Sequence, residues 1–182
     1  MARPNRKYIP NVTIEGARLL FRNFSGKEGD MNNAGDRNFN VVLDPEVVPR
    51  MLEDGWNIKT LKGKEEGDPD TYILKVKLKF KKPTPEVPEP RQPRVILVTS
   101  RGRTQLGEED VSVLDWAEIV NTDLIVSPYI WEMRGNTGIT AYVQDLFVTI
   151  QENELDLKYA DVPLDSAKSA VLMQNPTSYY ED

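Results

Sequence analysis

Between residues 72 and 80, apolar and charged positions alternate: Tyr72, Leu74, Val76, Leu78 and Phe80 are interleaved with Ile73, Lys75, Lys77 and Lys79. A period of two is that of a β-strand with one face in a core, and it lines the three lysines along the other face. A second strong strand is predicted over residues 139–150, and a β-rich run over 124–131 precedes it. The stretch 134–138, with turn residues and glycine near both ends, joins the two as a hairpin. Residues 17–24 and the alternating stretch 37–43 form another hairpin-like pair around a Gly/Asn-rich loop at 25–36. Further strands are expected at 56–61 and 95–99.

Helical spacing is scarce. Asp44 offers an N-cap, Pro45 a first-turn residue and Gly55 a stop, with Val47, Val48, Met51 and Leu52 on one face; Pro49 must fall in the first turn or bend the helix. Weaker helical patterns lie at 107–116 and 165–173. Five prolines in residues 82–93 forbid regular structure and predict an extended, semi-rigid connection. The inventory is mainly β, which an antiparallel sheet of five to seven strands curled into a barrel buries without long crossovers, with one or two short helices. Three regions follow: an irregular arm at 1–11, a β domain at 12–150, and an acidic C-terminal region at 151–182 with a mobile tail.

Composition narrows the chemistry. The 182 residues include no Cys and no His, so disulfides, zinc and haem ligation, Ser-His or Cys-His nucleophile pairs and imidazole acid/base work are all absent. A non-enzymatic protein that uses no cofactor is the natural expectation. No apolar run approaches the roughly 18 residues that span a bilayer, and residues 1–10 lack the apolar segment of a signal peptide, so a cytoplasmic protein is expected.

The net charge of −6 conceals a gradient: residues 1–104 carry 20 of the 23 Lys/Arg against 14 of the 29 acids. An acidic protein of this kind can still present a cationic face to phosphates. The lysines of 72–80 sit about 7 Å apart along their strand, close to the phosphate spacing of an extended single strand. A lysine-bearing edge strand also blocks aggregation, and that simpler reading stands beside the functional one. Lys59, Lys62, Arg101 and Arg103 lie in neighbouring segments. Trp56, beside Lys59, and Tyr129 with Trp131, beside Arg134, are candidates for base stacking, with core packing as the alternative for each. Tyr129 and Trp131 share one side of a strand, so both face in or both face out. The acids Glu65, Glu66, Asp68 and Asp70 read as a solvated loop, although a Mg²⁺-dependent nuclease would use Asp68 and Asp70. The glycine-rich segment 25–35 lacks the order of a nucleotide P-loop.

The segments Leu20-Phe21-Arg22-Asn23-Phe24-Ser25-Gly26, Asp54-Gly55-Trp56-Asn57-Ile58-Lys59, Leu114-Asp115-Trp116-Ala117-Glu118-Ile119, Pro128-Tyr129-Ile130-Trp131 and Gly138-Ile139-Thr140-Ala141-Tyr142 together resemble a family of bacteriophage single-stranded DNA-binding proteins built on an OB-fold, over residues 12–150. The resemblance implies a barrel that coats exposed DNA during replication and recombination in the infected host. It also implies an acidic, aromatic-ended tail that recruits partner proteins, a role that Tyr179, Tyr180, Glu181 and Asp182 would fill. Such proteins are not enzymes.

The expected function is sequence-independent single-stranded DNA binding. Lys59, Lys75, Lys77, Lys79, Arg101 and Arg103 meet phosphates, while Trp56, Tyr129 and Trp131 stack on bases. The alternative is a structural or protein-interaction module of a virion or replication complex. Self-association and the choice between DNA and RNA stay open.

Overall fold

The computed structural model describes residues 7–163. They divide into two units, 7–151 and 152–163. The first carries nine strands: β1 (Val12–Ile14), β2 (Leu19–Asn23), β3 (Arg37–Leu43), β4 (Ile58–Leu61), β5 (Thr71–Leu78), β6 (Arg94–Thr99), β7 (Gly102–Leu106), β8 (Ile119–Met133) and β9 (Asn136–Ile150). Helix α1 (Val48–Asp54) follows β3, and a 3-10 turn spans Val111–Asp115. The second unit contains α2 (Glu154–Lys158), capped by the Asn153 side chain, which accepts from the Asp156 N–H. The tail residues Tyr179, Tyr180, Glu181 and Asp182, and the helix expected at 165–173, lie outside the described residues. No helix among the described residues is long and apolar enough to cross a membrane.

All nine strands belong to one sheet, in the order β1-β8-β9-β5-β3-β2, with β4 on β5 and the β6–β7 hairpin on β9. Most pairings are antiparallel, as expected for an OB-like sheet, but β5 and β6 both run parallel to β9. The ends of the order are joined through the β1–β2 link: the Ala17 N–H donates to the Thr122 carbonyl of β8, and the Val42 N–H of β3 donates to the Arg18 carbonyl. One hydrogen bond on each side thus bridges the gap that a continuous ladder leaves open.

The core is filled by the apolar sets of these strands, including Phe39, Val41, Leu74, Val76, Val126, Ala141 and Val148, with Phe24 stacked on Phe39 at 5.0 Å between ring centroids. In β9 the buried positions run 141, 143 and then 146, 148. Val143 pairs with Val126 and Asp145 with Ile125, so Gln144 is the extra residue of a β-bulge. A bulge bends its strand and re-aims its side chains, and here it also divides the partners on one edge of β9. Before it, β5 pairs with Ala141 and Tyr142; after it, β6 pairs from Asp145 onward.

Helix α1 begins at Val48 rather than at Asp44. Pro49 lacks an N–H and its ring collides with the carbonyl four residues earlier, so the helix can only start just before it. Asp44 instead caps the preceding turn, its carboxylate accepting from the Glu46 N–H. Gly55 closes the helix in the left-handed region at φ 102°. Two of the family-like segments hold each other: Arg22 donates to the carbonyls of Leu114 and Ala117, and the Asp115 carboxylate accepts from the N–H groups of Phe24 and Ser25. The acidic loop before β5 is likewise self-bonded, with Asp68 accepting from the Glu65 N–H and Asp70 paired with Lys62 at 3.2 Å.

Candidate nucleic-acid interface

Residues paired across a ladder send their side chains to the same face. Asn38 of β3 pairs with Lys77, Lys77 with Tyr142 of β9, and Tyr142 with Ser127 of β8, which makes one row across four strands. The period of two carries Lys75 and Lys79 onto this face with Lys77, and Tyr129 and Trp131 with Ser127. The opposite face holds Val76, Ala141, Val143 and Val126, all buried. Lysines and aromatics therefore share the outer wall of the sheet. Tyr129 is 59% exposed and Trp131 38%. None of Lys75, Lys77 and Lys79 forms an ion pair among the described residues.

A cleft of about 610 Å³ opens in this wall beside the β9 bulge, lined by Lys79, Lys81, Arg91, Tyr129, Tyr142 and Gln144 among others. A second hollow of about 250 Å³ continues from the shared residues Lys79 and Tyr142 toward Arg37 and Glu108. Tyr129 and Tyr142 meet edge to face at 6.2 Å. Arg37 pairs with Glu108 at 3.3 Å.

The proline-rich connection leaves β5 and returns as β6 at the point where β9 exchanges partners. Its neck is fastened by Gln92, whose Oε1 accepts from the Lys81 N–H at 2.8 Å and whose Nε2 donates to the Lys81 carbonyl at 2.6 Å. Its tip is closed by reciprocal backbone hydrogen bonds between Thr84 and Val87. The loop is thus a fastened finger, not a free extended tether, and it sets Lys81 and Arg91 at the rim of the cleft.

Not every expected residue reaches this wall. Trp56 is 3% exposed. It bridges Ile139 in parallel register, which turns its indole to the core face shared with Ala141 and Val143, so it offers no surface to a base. Lys59 pairs with Ile73 and lies on the lysine side, exposed. Arg103 pairs with Val98, whose partner on β9 is Thr149, seven residues beyond Tyr142 and so about 23 Å along the strand. Arg103, with Arg101 in the adjoining turn, is therefore remote from the cleft.

Tyr142, Lys81, Arg91 and Arg37 were not among the expected residues. Tyr142 was legible in principle: a two-residue turn at Arg134 and Gly135, both at positive φ as a tight hairpin requires, puts Tyr142 opposite Ser127 by counting back from it.

Residues 1–181 match the family model of the phage ssDNA-binding domain. Among solved structures, the single-stranded DNA-binding protein from bacteriophage Enc34 in complex with ssDNA is similar, with a TM-score of 0.50 at 9% identity over 79% of this chain and 88% of that one. Its C-terminal truncation gives the same score and identity over 79% and 87%. The single-stranded DNA-binding protein gp2.5 of bacteriophage T7 gives 0.42 at 13% identity over 87% and 97%. At these identities the likeness to the Enc34 structures is one of fold. No curated protein sequence matches the chain.

Proposed function

The chain belongs to the phage single-stranded DNA-binding family, and from that membership we propose how it holds its ligand. It binds single-stranded DNA, and the strand runs across the outer wall of the sheet. Lys75, Lys77 and Lys79 neutralise phosphates there, Lys81 and Arg91 add charge from the proline-rich finger, and Tyr129, Trp131 and Tyr142 stack against bases. Lys59 extends the cationic row, while Arg101 and Arg103 meet phosphates only of a strand long enough to reach the far end of β9. Contacts of this kind are sequence-tolerant, because every base has a flat face and every nucleotide a phosphate.

The observation that carries this reading is the single row Lys77, Tyr142 and Ser127, with Lys75, Lys79, Tyr129 and Trp131 on the same face. The protein acts by binding alone, in the cytoplasm of the infected host, in replication and recombination of the phage genome. The C-terminal residues Tyr179, Tyr180, Glu181 and Asp182 recruit replication or recombination proteins.

Titration of tryptophan fluorescence with oligo(dT) at two salt concentrations tests the wall. Binding is expected to quench fluorescence and to weaken with salt at about −0.7 in log K per log salt for each phosphate neutralised. Replacing Lys75, Lys77 and Lys79 together by Ala should flatten that slope by about 2 and weaken all sequences alike. An unchanged slope in the triple variant rejects the assigned face, and no binding by the native chain rejects DNA binding itself.

A further inference from the structure

The β8–β9 hairpin pairs Trp131 with Gly138. A Cβ built on Gly138 would stand 2.6 Å from Cε2 and 3.0 Å from Nε1 of Trp131, and it would meet Cζ2 as well. The indole therefore lies across the backbone of the neighbouring strand, in the space that any other side chain would occupy. Gly138 does not have a positive φ, in contrast to Gly55 and Gly135. Backbone conformation consequently does not call for glycine here, and the close approach of the indole does.

We propose that Gly138 is a positioning residue for DNA binding: it forms the seat that lays the Trp131 ring flat on the hairpin and leaves one face of the indole open to stack on a single base. The inference rests on the reading of the outer wall as the DNA surface. Without the seat the indole would have to rotate away from the hairpin, because a ring on a rotatable side chain moves more cheaply than two paired strands. A ring fixed in advance loses little rotamer freedom on binding, whereas a displaced ring must be ordered anew. Stacking is also one-sided here, since the inner face of the ring is already covered by backbone.

An alternative role for the pair is to shield the glycine and stabilise the hairpin, without any part in binding. A double-variant cycle separates the two. Affinity is read in every variant from the anisotropy of a dye-labelled oligo(dT), and quenching is read in a Trp116→Phe background, which removes a strongly exposed indole and leaves the half-exposed Trp131 beside the buried Trp56. Trp131→Ala is expected to weaken binding roughly tenfold, within the range of one lost stacking contact. For Gly138→Ala we expect roughly three- to tenfold weaker binding, reduced quenching and an unchanged salt slope, because no phosphate contact is lost. Adding Gly138→Ala to Trp131→Ala should then change nothing further.

Native affinity and quenching in Gly138→Ala would overturn the proposal, as would an equal loss in the Trp131→Ala background. Absence of quenching in the Trp116→Phe parent with loss of binding in every format would instead remove the DNA-binding reading, and the seat with it. Should Gly138→Ala not fold, acrylamide quenching of the Trp116→Phe parent decides: Trp131 must be accessible when free and protected when oligo(dT) is bound. Equal accessibility in both states overturns the proposal.

Discussion

Trp56 and Trp131 are the same residue type in the same family-like pattern, and the sheet treats them in opposite ways. Trp56 follows the helix-closing Gly55, and its bridge to Ile139 turns the indole inward; Trp131 is one residue out of phase with Ile139's cross-strand partner, so its ring faces outward. Trp56→Ala is therefore expected to act on stability, by about 3 to 5 kcal/mol, as for a large aromatic removed from a core. Chemical denaturation measures this, and the folded fraction of the variant should retain the oligo(dT) affinity of the native chain. Alternation alone says that Tyr129 and Trp131 share a face, but it cannot say which face. That depends on which strands lie beneath β8 and β9, a long-range property without a local signature. Asp115 belongs to the same lesson: its carboxylate fastens the backbone at Phe24 and Ser25, 90 residues away in sequence for the second of these.

At the scale of elements, the strands with one buried and one exposed face were legible. The expected strand at 37–43 coincides with β3, and that at 72–80 nearly with β5. Two elements carried no hydrophobic pattern to read. In β7 the first four of its five residues are exposed, and α2 has no buried residue. The bulge at Gln144 resets the alternation within what reads as one uninterrupted strand, so the change of partner on β9 was invisible. The proline count correctly excluded regular structure in the finger, but the pair of hydrogen bonds from Gln92 that fastens it depends on its two ends meeting in space. Gln92→Ala should release the neck and let Lys81 and Arg91 drift from the cleft. The expected outcome is a few-fold weaker oligo(dT) binding, with faster proteolytic cleavage within residues 82–91 than in the native chain. Undiminished resistance of the finger to proteolysis would show that its prolines alone keep it rigid.

Across the whole molecule, the basic residues concentrate before residue 105 and the acids dominate after it, with 15 acids against 3 Lys/Arg. Seven of those acids fall in residues 152–182, and competition of this acidic end with DNA phosphates for cationic side chains is an expectation from charge alone. Removing residues 175–182 is expected to raise oligo(dT) affinity at low salt, with the gain shrinking as salt is added. An affinity gain that is equally large at high salt would point away from charge competition. The bulge on β9 has a broader consequence for how such a protein can diversify. Because β5 and β6 dock one after the other on a single edge, the chain between them departs and returns at nearly the same place, with Lys81 and Gln92 as its threshold. What lies beyond that threshold is a cassette: its length and composition can be exchanged for another sequence without re-registering any strand, so the mouth of the cleft can be remodelled while the sheet beneath it is inherited unchanged.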